Sequence, residues 1–349
     1  MNKRKILGIL ASSREKSVYY LELYNQFAQG ENICLISFTP RKIRWRRKRV
    51  KGLYFSDGVI KEGWFPFPDA IYNQCYNKRA LKIASYVGSR KVFNWINRFN
   101  KWTIYNILKN STASDLTKFI PETRLFNEKN LFELLDKHYA VFLKPCYGSF
   151  GNDIFRIRYD KENKKYDIHT TVTTPKFSFE DRTMFYIKLK ELIGRKRYIV
   201  QSEIPMKKLN KDLFDIRMIL QKDNSGQWGI TTAFSRITPN RSIITNNMHK
   251  KQLLHEILST LEYSSEKQQQ IINDLYGTSI KTALALEQSL GHLGEISVDF
   301  TITDKDELKI IEVNGKPSKA LIEGLQNETI IKLFYSKPIE YLKFLAEKN

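Results

Sequence analysis

An α/β (α+β) protein is what this sequence predicts, on three grounds. Its opening run of strand, helix and strand (Ile6 to Ala11, Ser17 to Phe27, Asn32 to Phe38) is the pattern of a small unit with some parallel pairing. Its second half holds short runs of alternating apolar and polar residues, such as Phe214 to Gln221 and Trp228 to Arg236, which suit half-buried strands. Near the end, Val298, Phe300 and Ile302, then Ile311 and Val313, alternate along two arms of a hairpin. At 349 residues the chain is long enough for two or three compact units with their own cores.

The elements follow in order. After the opening run, Arg41-Lys42-Ile43-Arg44-Trp45-Arg46-Arg47-Lys48-Arg49-Val50-Lys51 and Leu53-Tyr54-Phe55 predict a hairpin with a solvated basic face. Ala70-Ile71-Tyr72, after Pro66, Pro68 and Asp69, is a short strand, and the first unit is placed at residues 1–97. From Arg98 the texture changes. Trp102 to Leu108 predicts a helix, Ile120-Pro121-Glu122-Thr123 a break into a strand, and Leu131 to His138 a second helix. Tyr139 to Pro145 is a buried strand that runs into a glycine-bearing loop before alternation resumes at Ile154. A helix over Glu180 to Ile193 and a strand over Arg197 to Pro205 close a second unit, residues 98–200. The third, residues 201–349, carries the alternating strands and helices over Gln252 to Leu261 and Ser279 to Leu290.

Composition narrows the function classes. The net charge of +21 suits an acidic partner or a plainly solvated face; nucleic acid is disfavoured because no nucleic-acid-binding motif is present. No apolar run approaches the roughly 20 residues of a membrane span, and the apolar stretch after Met1-Asn2-Lys3-Arg4-Lys5 is too short for a signal peptide. Cys34, Cys75 and Cys146 are widely spaced, which predicts reduced thiols in a cytoplasmic protein.

Three places carry candidate chemistry. If Thr303 faces Leu308 across a four-residue loop, antiparallel pairing sets Asp299 opposite Glu312 and Ser297 opposite Asn314. Cβ atoms of such partners lie roughly 4.5–5.5 Å apart, so two carboxylates there repel unless a cation bridges them. An oxygen-only set of Asp299, Glu312 and Asn314 suits Mg²⁺ or Mn²⁺; the alternative is an exposed hairpin with scattered acids. Lys144, closing its strand before Gly148 and Gly151, is compatible with a phosphate clamp or with an ordinary hairpin. It is not a P-loop, since no Gly-Lys-Ser/Thr opens a helix there. Arg217 and Arg236, on neighbouring strands, suit a polyanion or a surface pair with Asp215.

In this order the pieces resemble the ATP-grasp superfamily, and more narrowly its YheC/YheD-type endospore-coat-associated family. The residues that carry the match are Phe99-Asn100-Lys101-Trp102, Leu143-Lys144-Pro145, Gly148-Ser149-Phe150-Gly151, Asp215-Ile216-Arg217 and Glu312-Val313-Asn314-Gly315-Lys316-Pro317. Gly8-Ile9-Leu10 and Phe65 to Asn73 also fit, so the likeness covers nearly the whole chain. It implies an ATP-grasp fold with two lobes sandwiching the nucleotide, preceded by a small N-terminal α/β domain. Lys101 and Lys144 match lysines on the nucleotide phosphates, and Gly148, Ser149, Phe150 and Gly151 the loop that closes over ATP. Gln201, Ser202, Glu203 and Ile204 match the strand whose backbone reads adenine. Arg217 and Arg236 match arginines facing the γ-phosphate and the acceptor, and Asp299, Glu312 and Asn314 the ligands of Mg²⁺ or Mn²⁺.

The activity so implied is ATP-dependent carboxylate–amine ligation through an acyl phosphate, on an acceptor such as an acidic peptide or polymer of spore-coat assembly. The alternative is a nucleotide-binding or structural coat component without turnover. Two stretches depart from the pattern. Met206-Lys207-Lys208 stands where an acid often binds ribose, and Asn246-Asn247-Met248-His249-Lys250-Lys251 has lysine where the related glutamate ligases have a flexible glycine.

Overall fold

The computed structural model describes residues 4–348 apart from 31, 97, 113, 114, 149, 150 and 246, and builds them around three sheets. The first holds β1 (Lys5–Leu10), α1 (Arg14–Asn25), β2 (Ile33–Arg44), β3 (Arg49–Ser56), β4 (Val59–Pro66), β5 (Ala70–Asn73), α2 (Lys78–Val87) and β6 (Val92–Phe93). Its strand order is β4-β3-β2-β1-β5-β6. β1 runs parallel to β2 and β5, as the strand–helix–strand opening predicts, whereas β2, β3 and β4 form an antiparallel meander. The basic run lies at the β2–β3 turn. β4, which the sequence reading leaves unassigned, adds a third strand whose Glu62 pairs with Lys42 and Lys51.

The second sheet follows α3 (Lys101–Lys109) and is made by β7 (Thr123–Leu125), α4 (Glu128–His138), β8 (Ala140–Pro145), β9 (Phe155–Asp160), β10 (Lys165–His169), β11 (Phe177–Phe179), α5 (Arg182–Ile193) and β12 (Tyr198–Ser202). It is antiparallel throughout, in the order β11-β10-β9-β8-β12-β7. Leu131 and Leu135 of α4 and Phe185 and Leu189 of α5 pack on Val141, Leu143, Ile157 and Val200. The helix predicted from Leu131 begins a turn earlier, because the Asn127 side chain accepts from the Asn130 N–H and caps it. Ile104 and Leu108 of α3 do not join this core; they pack with the third sheet.

The third sheet contains β13 (Lys208–Leu209), β14 (Asp212–Lys222), β15 (Trp228–Thr238) and β16 (Lys250–Leu253), then α6 (Leu254–Thr260), α7 (Ser265–Leu290), β17 (Glu295–Ile302), β18 (Leu308–Asn314), α8 (Lys319–Glu323) and α9 (Glu328–Lys348). Its order is β16-β15-β14-β17-β18, with β13 on β14. Successive residues of β14 serve opposite faces, as a pleated strand requires. Met218 and Leu220 pack under α7 with Val298 and Phe300, while Ile219 meets Phe334, Ile339 and Leu342 of α9. Leu7, Ile9 and Tyr72 of the first sheet share that second core, so α9 is a common filling between the first and third sheets. The helix predicted from Ser279 starts at Ser265, capped by the Ser264 hydroxyl. The one predicted from Gln252 starts at Leu254, because Lys250–Leu253 pairs with β15 as an edge strand.

Candidate functional site

The β17–β18 hairpin pairs Asp299 with Glu312 and Ser297 with Asn314, as the sequence predicts, but by a different route. Its loop has three residues, not four: the Thr303 N–H donates to the Glu307 carbonyl at 2.8 Å, and Asp306 takes the left-handed conformation (φ 59°). Ile302 consequently pairs with Leu308, one step off the predicted register. A bulge between Asp299 and Phe300 leaves Ile311 without a partner and restores the register at the acids. Leu308 and Ile310 are buried and so is Val313, so the buried phase of β18 changes at the bulge. Strict alternation would have turned Glu312 to the core; the extra residue turns it to the other face.

That face borders a cleft of about 840 Å³ whose lining comes from α1, α3, the ends of β8 and β12, β14, β15, β18 and the segment leading into α8. Glu312 and Asn314 line it. Lys101 reaches it from the first turn of α3. Asn100 caps that helix through the N–H groups of Trp102 and Thr103, and the Lys101 N–H donates to the Cys146 carbonyl. Its ammonium lies 2.7 Å from a Glu312 oxygen and 3.4 Å from the Gly148 carbonyl. Gly315 cannot carry a side chain, because a Cβ there would lie 2.7 Å from the Phe99 ring, on the segment that leads into α3.

Lys144 lies on β8, and its Nζ donates to Gln201 Oε1 at 2.7 Å; Gln201 Nε2 in turn donates to Thr123 Oγ1 at 2.9 Å. Burial pulls the Lys144 pKa down to about 8, against a smaller upward pull from Glu312, with Lys101 also lowering it. Of the linker residues only Gln201 lines the cleft. The Ser202 and Glu203 N–H groups donate to Glu122 and Ala140, the Glu203 carboxylate takes a two-pronged contact from Arg156 at 2.8 and 2.9 Å, and Ile204 is half-buried outside the lining. Gly148 lines the cleft; Gly151 has φ 73°; Ser149 and Phe150 lie outside the described residues.

Arg217 and Arg236 both line the cleft and share Asp299. Arg217 grips it with Nε and Nη2, each at 2.6 Å, and Arg236 Nη2 reaches its Oδ2 at 2.9 Å. Arg236 also forks onto Asp215, which accepts from Thr245 Oγ1 as well. All four charged groups are buried. Burial holds the Asp215 pKa above the usual carboxylate range; at Asp299 the two guanidinium charges overcome burial and hold it below. The arginines stand on neighbouring strands and Arg236 pairs with Asp215, as the sequence reading offered, though buried rather than at the surface; it did not foresee that Asp299 holds both guanidiniums as well as facing Glu312.

Of the three oxygen donors expected for a hard cation, two line the cleft and the third, Asp299, does not. Glu312, paired with Lys101, and Asn314 are lining residues, while Asp299 could add a third oxygen only by loosening an arginine contact. Among the described residues of the two departures noted in the sequence, Met248 alone reaches the cleft. Lys207 pairs with Asp306, and Lys251 donates to the Leu321 carbonyl; neither lines the cleft. Asn246 lies outside the described residues. Sequence reasoning gave no role to Lys16, Arg98, Lys316 and Lys319, which bring the lining, among the described residues, to eight lysines and arginines against two glutamates. Lys316 was visible only as part of Asn314-Gly315-Lys316-Pro317; its place depends on tertiary packing.

Residues 89–345 match the family described as YheC/D like ATP-grasp. The endospore coat-associated protein YheC of Bacillus subtilis (strain 168) is 23% identical over 355 aligned positions, covering 98% of this chain and 96% of YheC. YheD of the same strain is 20% identical over 346, covering 96% of this chain and 75% of YheD. Among solved structures, the Chryseobacterium gregarium RiPP-associated ATP-grasp ligase, in complex with ADP and a leader and core peptide, superimposes with a TM-score of 0.51 at 15% identity. That superposition covers 99% of this chain and 97% of the ligase, and the shared architecture is the ATP-grasp fold.

Proposed function

The chain belongs to the YheC/D-like ATP-grasp family, and from that premise we propose that it is an ATP-dependent carboxylate–amine ligase acting in the cleft between its three sheets. One observation carries the reading. Lys101 and Lys144, from different elements, converge on the same cleft as Glu312, Asn314, Arg217 and Arg236, a charge arrangement suited to a polyphosphate and its metal.

In the proposed reaction an acceptor carboxylate oxygen attacks the γ-phosphorus of ATP. The bond to the β–γ bridging oxygen breaks and ADP leaves. An amine then attacks the acyl phosphate carbon, expelling inorganic phosphate and losing a proton. Lys101 and Lys144 hold phosphate charge, with the Gly148 carbonyl beside Lys101. The apolar wall of Ile120, Pro121, Ile199, Ile104 and Leu108 takes the base. Arg217 and Arg236, fixed by Asp299 and Asp215, face the transferring phosphoryl group, where preorganised guanidiniums act most strongly. Glu312 and Asn314, with Asp299, would hold Mg²⁺ or Mn²⁺, which supplies charge neutralisation on the phosphates.

Calorimetry with ATP and ADP, with and without Mg²⁺, tests the binding half. Phosphate release screened over acids and amines tests the turnover half. A second reading, a nucleotide-binding coat component without turnover, draws on the occupied state of Asp299, both of whose oxygens are held by arginines. Nucleotide binding with no phosphate release for any acid and amine pair would favour it. A cytoplasmic protein that joins the spore coat is the location this reading implies. It draws on the names of the two relatives and agrees with the finding that no helix of the described residues is long and apolar enough to cross a membrane.

A further inference from the structure

The end of the cleft away from Lys144 is walled by the N-terminal unit, and it holds two lysines that the nucleotide does not need. Lys316 Nζ donates to the Cys75 carbonyl and lies 4.8 Å from the centre of the Tyr76 ring. Lys319 Nζ donates to Gln74 Oε1 at 3.0 Å and to the Tyr72 hydroxyl at 3.4 Å, near the Tyr20, Tyr72 and Phe334 rings. Each keeps some surface on the cleft while protein packs around the rest. Among the described residues neither makes an ion pair, although the chain holds many acids. The two carboxylates near Lys319 are engaged elsewhere. Glu295 accepts from Tyr72, Gln74 and Gln221, and Glu323 from the Tyr19 and Tyr335 hydroxyls at 2.8 and 2.6 Å.

Half-buried ammonium groups bonded only to neutral oxygens are poorly compensated. Burial accordingly depresses the Lys319 pKa. Lys16 and Arg98 add positive charge to the same end, where among the described residues Glu323 is the one acid of the lining. An anion relieves this arrangement, whereas a free ammonium on a substrate is repelled by it.

Resting on the ligase reading above, we propose that this end of the cleft holds a second anionic group of the acceptor. The acceptor is then a di- or polyacid. One carboxylate meets Arg217 and Arg236 for activation, and another acidic group, a carboxylate or a phosphate, sits on Lys316 and Lys319. Tyr19, Tyr20 and Tyr76 supply flat walls for the body that joins the two groups, as a peptide carrying neighbouring acidic residues would need.

The test is calorimetry at about 150 mM salt, where long-range surface attraction is screened, with and without saturating ADP and Mg²⁺. The probes are the capped dipeptides acetyl-Glu-Glu-amide, acetyl-phosphoSer-Glu-amide and acetyl-Gln-Glu-amide. The expected result is that at least one two-acid probe binds about tenfold or more tighter than the one-acid probe; the tighter of the two names the second group. Lys316→Met and Lys319→Met should each erase that preference while ADP affinity stays within about threefold. A variant with Arg46, Arg47, Lys48 and Arg49 all changed to Ser, which removes more charge from a distant surface, should retain it. Equal binding of the three probes to the wild-type protein overturns the proposal without recourse to any variant. So does a loss in the hairpin variant as large as in the lysine variants. Failure of the wild type to bind ADP instead sinks the ligase reading, while the probes titrated without nucleotide still report whether the second anion is preferred.

Discussion

Nucleotide affinity should fall with pH through the titration of Lys144. Burial holds this ammonium at a pKa of about 8 in the free protein, with Glu312 opposing weakly and Lys101 assisting. A phosphate against Nζ favours the charged form and lifts the pKa well above that value. The sign follows: binding takes up a proton wherever the free lysine has lost one, so affinity is flat below pH 8 and declines above it. Between pH 7 and 9 the free lysine goes from about one-eleventh to about ten-elevenths neutral, which weakens binding about tenfold, or about 1.4 kcal/mol. The assay is ADP calorimetry at fixed Mg²⁺ across that range, with Lys144→Arg as the reference. Its guanidinium stays charged throughout, so titration of the nucleotide and of other groups cancels in the comparison. If wild-type and Lys144→Arg profiles run parallel from pH 7 to 9, Lys144 does not hold phosphate.

Other perturbations separate the remaining roles. Glu312→Gln should weaken Mg²⁺-dependent ADP binding about tenfold or more, leaving the metal-free affinity nearly unchanged in the same titration. Asp299→Asn strips a buried carboxylate from two guanidiniums and should cost about 3–5 kcal/mol of stability by denaturant unfolding. Arg217→Lys and Arg236→Lys keep the charge but lose the fork, and should lower acceptor-dependent phosphate release about 10²–10³-fold with ADP affinity little changed. Wild-type turnover in both would remove these arginines from the chemistry.

What was legible in the sequence is what depends on local period. Alternation located β14, β15, β17 and β18, and with them Arg217, Arg236, Asp299, Glu312 and Asn314 on one sheet. Lys144 was legible because a lysine closing an apolar run has to leave the core. The partners of these residues were not legible. That Asp299 would be gripped by two arginines depends on β14 lying between β15 and β17, an order that no local pattern encodes. Neither was the role of α9, whose apolar face fills a core shared by two sheets and meets β1 and β5 from the far end of the chain. Lys316 and Lys319 were obscure for the same reason. Their neighbours Cys75, Gln74 and Tyr72 lie some 240 positions earlier.

The hairpin shows why a correct pairing can be reached from an incorrect turn. A four-residue loop and a continuous ladder give Asp299 opposite Glu312; so do a three-residue loop and one bulged residue, because each shifts the count by one. The two differ in what faces the core. The four-residue loop would set Lys309, Ile311 and Val313 toward the core; a ladder continued unbroken from the three-residue turn, with Leu308 and Ile310 buried, would instead pair Glu312 with Val298 and take it into the core. A carboxylate in that position would lie among Val298, Phe300 and Leu286, with no cation of the cleft in reach. The extra residue lets one strand serve an apolar core at its start and a polar cleft at its end. The clue in the sequence is the Ile310-Ile311 pair, two adjacent apolar residues in a strand that otherwise alternates. Such a doublet next to an acid marks a change of phase, and here it is what brings Glu312 to Lys101.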